Sequence, residues 1–249
     1  YWGGDERGND FSGPAHDFAW CVPIATQCLH AAGAALAYKI RKEPRVAVSV
    51  VGDGGSSKGD FYGAINVAGA MQLPLVTVIV NNQWAISVPR RMQTSAQTLA
   101  QKGIAAGIES VQVDGNDLIA MRAVLDHALK RARHGHGATL IEAVTYRLSD
   151  HTTADDARRY RDEAEVKAAW AREPLSRLRK YLVGIGAWDE AREEAWKLEC
   201  MARVDEEINA YLASKPQPLE SMFDYMYAEL PHDLRAQREQ AQEWEKRGG

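Results

Sequence analysis

Two apolar, mostly β-branched runs, Val46–Val51 and Leu75–Val80, each stop against a short polar plug. The plugs are Gly52-Asp53-Gly54 and Asn81-Asn82, with 26 residues between them. Runs this apolar have the pattern of strands buried on both faces, which belong to parallel sheets covered by helices. The stretch between them supplies the crossover: Phe61, Ile65 and Ala68 fall on one side of a helix expected over Gly59–Gln72, and Pro74 stops it. Gly or Asn at a strand end would serve as a turn anywhere. Two such plugs at adjacent strand ends, one carrying a carboxylate and the other a carboxamide, constrain the chain further.

The alternation continues. "GIESVQV" and "ATLIEAVTY" have the pattern of third and fourth strands, with Asp117 capping a helix that runs to about Arg133 between them. Upstream, Pro23 opens an Ala-rich helical stretch, since proline suits the first helical turn, and residues 1–20 form a polar, glycine-bearing loop. A short helix is expected near Thr98. The fold class is α/β: a doubly wound parallel sheet with helices on both faces, followed by a helical C-terminal region. The pattern changes at Tyr146, where "RLSDHTTADDARRYRDE" forms a long charged loop. The sheet domain is therefore assigned to residues 1–160 and the helical region to 161–249, packing on the sheet domain and on partner chains. In that region Trp188, Ala191, Ala195, Leu198, Ala202 and Val204–Tyr211 make a stripe at helical spacing that belongs to a core or an interface.

Composition excludes several classes of function. A net charge of −4 gives no footprint for nucleic acid or an anionic membrane, and no apolar run approaches the ~20 residues a bilayer requires. No signal peptide is visible, and Cys21, Cys28 and Cys200 make no C-x-x-C pair, so a cytoplasmic chain with free thiols is expected. Cys21 and Cys28 fit one helix face as buried thiols, and His134 and His136 sit between glycines in a helix-ending turn.

In an open α/β sheet, ligands bind beyond the carboxyl ends of the strands. The plug glycines let backbone approach an anion closely, and the helix opening near Gly59 presents free N–H groups. A dinucleotide fingerprint fails here because Ser57 stands where its last glycine belongs, and a P-loop fails because Gly59 follows Lys58. What remains is Asp53 and Asn82, two hard oxygen donors. Mg²⁺ takes one or two protein side chains and completes its octahedron with phosphate oxygens and water, so a magnesium-diphosphate between two strand ends meets the pattern.

Gly-Asp-Gly, a spacer of this length and Asn-Asn together resemble the thiamine-diphosphate motif of the transketolase-like enzymes. "GDGGSSKGDFYGAINVAGA", "NNQWAISVP", "LAQKGIAAGI", "VQVDGND" and "DHTTADDARRYR" extend that resemblance to the α subunits of the 2-oxo acid dehydrogenases, the bacterial two-chain pyruvate dehydrogenases among them. The resemblance implies that the side chains of Asp53 and Asn82 and the backbone carbonyl of Trp84 bind Mg²⁺, and that backbone at Gly54 and Gly55 holds the diphosphate. It implies that Ile86 props the bent thiamine diphosphate, that Val22 and Ile24 touch its aminopyrimidine ring, and that His151 is an active-site histidine on a mobile loop. Thr152 stands where some eukaryotic relatives carry a phosphorylated serine. The family also has an upstream segment, with a Tyr-Arg pair and a His, that this sequence does not contain.

The implied function is oxidative decarboxylation of a 2-oxo acid, pyruvate first, with acyl transfer to the lipoyl domain of a dihydrolipoyl acyltransferase. The implied partner is a β subunit in an α₂β₂ assembly, which supplies the glutamate that activates the aminopyrimidine. A branched-chain 2-oxo acid or acetoin is the alternative substrate. A catalytically silent, partner-binding chain is the alternative from another class.

Overall fold

The computed structural model describes residues 17, 18, 22–215 and 217–248. Most of the loop expected over residues 1–20, and Cys21 of the expected thiol pair, lie outside the described residues. The chain divides into two compact units, one ending at Asp189 and the other taking in the described residues from Glu190 onward with residues 17 and 18.

In chain order the first unit runs α1 (Thr26–Arg41), β1 (Ala47–Gly52), α2 (Gly59–Ala70), β2 (Leu75–Asn81), β3 (Trp84–Ala85), β4 (Val88–Pro89), α3 (Arg90–Gln93), α4 (Lys102–Ala105), β5 (Glu109–Asp114), α5 (Leu118–Arg133), β6 (Thr139–Val144), α6 (Glu163–Trp170) and α7 (Pro174–Gly184). Four strands form one parallel sheet in the order β1-β2-β6-β5. A core of α1 and α2 side chains, including Cys28, Ala35, Phe61 and Ile65, packs with Val51, Leu75, Ile79 and Leu140 on one face. On the other face Ala128 and Ala132 of α5 pack with Val76, Val78, Ile141 and Ala143. Side chains alternate across a strand, so the run apolar at every position in β2 meets two covered faces. By contrast β1, at the sheet edge, buries Ala47, Ser49 and Val51 and leaves Val48 and Val50 exposed, contrary to the expectation of cover on both faces. Each fully buried Leu or Ile contributes about 1.5–3 kcal/mol through area removed from water.

The helix after β1 covers one face and the helix before β6 the other, so the direction of winding reverses between β2 and β6. This is the topological switch point where open α/β sheets place ligands. Both polar plugs fall at this carboxyl edge, the first at the end of β1 and the second at the end of β2.

Three local details differ from the sequence reading. The first helix opens at Thr26, not at Pro23; Ala25 at φ 71° sets a left-handed step before it, and the Pro23 carbonyl accepts from the Thr26 N–H. The helix expected near Thr98 forms at Lys102–Ala105, where "KGIA" can close helical bonds, while Thr98 hydroxyl caps the Gln101 N–H. The antiparallel hairpin of β3 and β4 has too short an apolar alternation to be seen in sequence.

The second unit contains α8 (Glu190–Ala213), α9 (Ser221–Asp224) and α10 (His232–Lys246). Arg238 pairs with Asp224 at 3.0 Å and Gln242 donates to Glu220 at 2.7 Å, tying α10 to the α9 region. The expected stripe falls on α8 from Ala191 onward, and no residue of α8 is buried: Leu198, Val204, Ile208 and Tyr211 of the stripe are exposed, as are Trp196 and Met201 outside it. Among the described residues no helix is long and apolar enough to cross a membrane.

Candidate functional site

The two plugs meet through a single acceptor. The Val80 carbonyl, in the last turn of β2 pairing, accepts from the Asp53 N–H at 3.2 Å and from the Asn82 N–H at 3.0 Å. The backbones of the two plugs are therefore neighbours, because the parallel register ends at Gly52 opposite Val80.

Asp53 is only 2 % exposed, and Gln93 of α3 donates to its carboxylate at 2.5 Å. Burial pushes the Asp53 carboxyl above its usual range, against the pull of the Gln93 amide and the Arg90 charge. A buried carboxylate held by neutral donors, the Gln93 amide and backbone N–H groups, with no ion pair to it among the described residues, is under-compensated, and a divalent ion would complete it. Gln93 Oε1 is itself buried without a partner. These observations fit a hard cation. Among the described residues no group of three or more His, Cys, Asp or Glu side chains could hold a metal; a magnesium-diphosphate needs none, since phosphate supplies much of its shell.

Asn82 caps its own turn, its Oδ1 accepting the Trp84 N–H at 3.1 Å. The hairpin then folds over the first plug: a methyl group built on Gly54 would lie 2.5 Å from Ala85 Cβ. At Gly55 it would lie 2.5 Å from Val51 Cγ2 and 3.0 Å from Ile24 Cγ2, which places Ile24 beside the turn that follows the first plug. Glycine is required at both positions by close approach. Val22 and Ile24 both expose their side chains, as residues awaiting a ligand or a partner surface would.

Ile86 is the first residue of the two-residue hairpin turn and has φ 54°. Hairpins of this length normally place Gly there, and a β-branched residue in left-handed backbone costs on the order of 1–2 kcal/mol. The Ile86 side chain is 56 % exposed, so its own packing does not offset that strain. Arg147 holds the turn instead, donating to the Ile86 carbonyl at 2.8 Å and to the Trp84 carbonyl at 3.4 Å. The latter contact is long and leaves Trp84 oxygen available to a metal.

Arg147 also connects His151 to the site. It donates to the Tyr160 hydroxyl at 2.8 Å, Tyr160 donates to Asp155 at 2.5 Å, and Asp155 accepts the His151 N–H at 2.9 Å. Tyr160 rests against Trp84 with ring centroids 5.5 Å apart. The loop that composition alone leaves unanchored before Tyr160 is thus tied by charged hydrogen bonds, including Arg161 to the Arg147 carbonyl and Asp150 to the Ala157 N–H. His151 itself is exposed and joins the plugs only through this chain of contacts.

Several members of the site carry no motif. Gln93 and Arg147 lie in polar stretches without periodicity. Glu142 gave a signal, a charge inside the apolar strand "TLIEAV"; it is 1 % exposed and accepts from Asn81 at 2.7 Å, from the Ala100 N–H at 3.0 Å and from Gln112 at 3.1 Å. Asn81 thereby turns inward to the sheet, while Asn82 keeps its Oδ1 on the Trp84 N–H. A cavity of about 590 Å³, lined by Asn81, Gln83, Trp84, Arg90, Glu142 and Glu165 among others, opens beside these residues at the switch point.

Lys102, 6 % exposed, donates to Ser56 O at 2.7 Å and to Ser56 Oγ at 2.9 Å. Burial pushes its ammonium down to about 8, with Arg90 adding to the shift and Glu142 and Asp53 opposing it. An unfolded lysine titrates near 10.4. Between about pH 8 and 10.4 the native state has released a proton that the unfolded state keeps, so stability rises with pH there by up to about 1.4 kcal/mol per unit. Below about 8 this group adds no pH dependence. Denaturant unfolding of wild type and Lys102→Met at pH 7.5, 8.5 and 9.5 checks this: the difference between them should shift toward wild type across that series. A constant difference would show an ordinary lysine.

The sequence profile of the dehydrogenase E1 component family matches residues 17–220. The chain is 40 % identical over 244 residues to a pyruvate dehydrogenase E1 component subunit alpha of Acholeplasma laidlawii, covering 96 % of this chain and 70 % of that protein. It is 44 % identical over 219 residues to a 3-methyl-2-oxobutanoate dehydrogenase subunit alpha of Mycobacterium tuberculosis, covering 88 % of this chain and 60 % of that one. A pyruvate dehydrogenase E1 component subunit alpha of Staphylococcus aureus is 42 % identical over 241 residues, covering 95 % and 64 %. The chain therefore spans between 60 % and 70 % of the length of these relatives. With a parallel sheet whose paired polar plugs share one carbonyl, and with relatives of one kind along most of its length, this chain belongs to the dehydrogenase E1 component family, on the α-subunit side of the 2-oxo acid dehydrogenases.

Proposed function

We propose that this chain is the α-subunit part of a pyruvate dehydrogenase, holding the diphosphate and magnesium end of thiamine diphosphate and acting with a β subunit on a 2-oxo acid. The observation that carries the reading is the shared Val80 carbonyl, which accepts from the Asp53 and Asn82 backbone N–H groups and so brings the two plugs together at adjacent strand ends. When bound, thiamine diphosphate supplies the nucleophilic carbon and the electron sink for decarboxylation. The protein's own part is binding and orientation. Asp53, Asn82 and the Trp84 carbonyl would hold Mg²⁺, and the glycine backbone at Gly54 and Gly55 would receive the diphosphate. Ile86, at the strained hairpin tip, would serve as the prop, the exposed Val22 and Ile24 would meet the ring, and His151 would act from the tied loop.

The division of labour in this reading gives the cofactor to residues 1–160 and contacts with partner chains to 161–249. The outward stripe of α8 supports the second half. A β subunit completes the site with the aminopyrimidine end, a lipoyl domain of the acyltransferase accepts the acyl group, and bacterial relatives support a cytoplasmic setting. A branched-chain substrate is the second reading, favoured by the 44 % identity to the 3-methyl-2-oxobutanoate enzyme.

Calorimetric titration of thiamine diphosphate into the full-length chain assembled with its β subunit tests the proposal. Binding should require Mg²⁺, and pyruvate should be turned over faster than 3-methyl-2-oxobutanoate. The reverse preference would select the branched-chain reading. Absence of magnesium-dependent binding would leave a silent partner-binding chain.

A further inference from the structure

We propose that Lys102 is a positioning residue for the cofactor: a buried cation that locks the turn after Asp53 in the shape that receives the diphosphate. The inference rests on the cofactor reading above and assigns a role to a residue outside the plug motifs.

The turn Gly55–Ser57 bridges the first plug and α2. Its geometry depends on Ser56, which is fully buried. Ser56 Oγ donates to the Asp53 carbonyl at 2.6 Å, and the Ser56 N–H reaches the same carbonyl at 3.1 Å. Lys102 Nζ then donates to both oxygens of Ser56. The lysine is thereby two hydrogen bonds from the backbone of Asp53, and it sits 46 residues from Ser56 in sequence, so it is a fixed tertiary peg.

Two consequences follow for an anion. The carbonyls of Asp53 and Ser56 are both occupied by buried donors, so the oxygens that would repel a diphosphate are held on the protein side. Behind that turn lies a full positive charge in a low-dielectric setting, where its field is weakly screened. Phe61 and Tyr62 rings lie 5.8 and 5.2 Å from the ammonium and face it without neutralising it. The charged groups that act on it are Arg90 from α3, Glu142 from β6 and Asp53 itself. Glu142 already accepts three hydrogen bonds from other donors, so Lys102 is not its dedicated partner. A buried ammonium is costly to keep, and a methionine would fill the same space. Retaining the charge is explained by the anion in front of the turn.

The test measures thiamine diphosphate affinity by calorimetry with Mg²⁺ in the full-length α chain assembled with its β subunit. Lys102→Met should weaken binding roughly tenfold to a hundredfold, the size expected for losing hydrogen bonds from a charged group. The cofactor-free protein should keep its near-ultraviolet circular dichroism. Lys102→Arg, which keeps the charge and can still donate to Ser56, should recover most of the loss. Ser56→Ala, which cuts only the Oγ link, should weaken binding by a smaller factor and serves as the test if Lys102→Met does not fold. An unchanged Kd in Lys102→Met, or in Ser56→Ala where that variant carries the test, would overturn the inference. So would an arginine variant as weak as the methionine one. Asp53→Asn is the control: if it too binds normally the cofactor reading fails, whereas its loss beside a normal Lys102→Met removes only the role of the lysine.

Discussion

Asp53→Asn is expected to abolish magnesium-dependent thiamine diphosphate binding, by at least about a hundredfold, in a protein that folds as wild type does. The two halves of that expectation have separate causes. Asparagine is nearly isosteric with aspartate, so the packing around a residue only 2 % exposed is preserved. Gln93, which donates to the carboxylate at 2.5 Å, also carries a buried Oε1 with no partner, and an asparagine amide can donate to it. The new side chain therefore finds a hydrogen bond on the neighbour the old one used. The folded-state carboxyl titrates above its ordinary range because of burial, so at neutral pH the fold holds its charged form at a cost. That cost is present above the folded pKa and vanishes with the charge, so the cofactor-free variant should be at least as stable at pH 7. In the proposed site, what the variant loses is the one charged side chain among the protein ligands of the metal. Asn82→Leu should move affinity in the same direction through the neighbouring ligand. Calorimetry with and without Mg²⁺, alongside denaturant unfolding of the cofactor-free protein, reads both halves. Normal affinity in Asp53→Asn would remove the metal assignment.

The contrast between Asp53 and Gln93 also shows how far sequence reasoning reaches. Asp53 was legible because a strand must end, and the polar residues that end it in a parallel sheet stand where ligands bind. The strand pattern itself was legible because apolar residues at every position, as in Leu75–Val80, require cover on both faces. Gln93 was not legible: it sits on a four-residue helix in a polar segment, and only the fold of the β3–β4 hairpin carries it back 40 residues to the carboxylate. Lys102 was hidden for the same reason, since a lysine between Gln and Gly in "LAQKGIAAGI" is indistinguishable from a solvated one until Ser56 is placed beside it. The strain at Ile86 is invisible in sequence too, because φ is set by a turn whose flanking strands are two residues each. Apolar pattern reports burial, and motif spacing reports strand ends. Neither reports which distant polar side chain satisfies a buried group.

His151→Ala is expected to lower acyl transfer at least about a hundredfold, the lower end of what a positioned acid or base contributes, while thiamine diphosphate affinity stays within about threefold of wild type. The separation follows from where the structure places the residue. His151 touches neither plug directly, so removing its imidazole takes nothing from the metal or the diphosphate. It is joined to the hairpin through its backbone N–H: Asp155 accepts that N–H, Tyr160 donates to Asp155, and Arg147 links Tyr160 to the carbonyls of Trp84 and Ile86. The Tyr160 hydrogen bond holds the Asp155 carboxyl below its usual range, which keeps it ionised and accepting at neutral pH. The backbone is thus fixed while the imidazole is left exposed, an arrangement suited to a group that works on a substrate or lipoyl group brought in from solution. Tyr160→Phe deletes the hydroxyl in the middle of the chain and should reduce transfer by a smaller factor, because the imidazole remains but its loop loses a tether. Single-turnover acyl transfer to a free lipoyl domain, run beside a cofactor titration on each variant, separates the outcomes. If His151→Ala transfers acyl groups at the wild-type rate, His151 leaves the site. If it loses cofactor affinity as well, the histidine acts on binding and the assignment to substrate or lipoyl group is wrong.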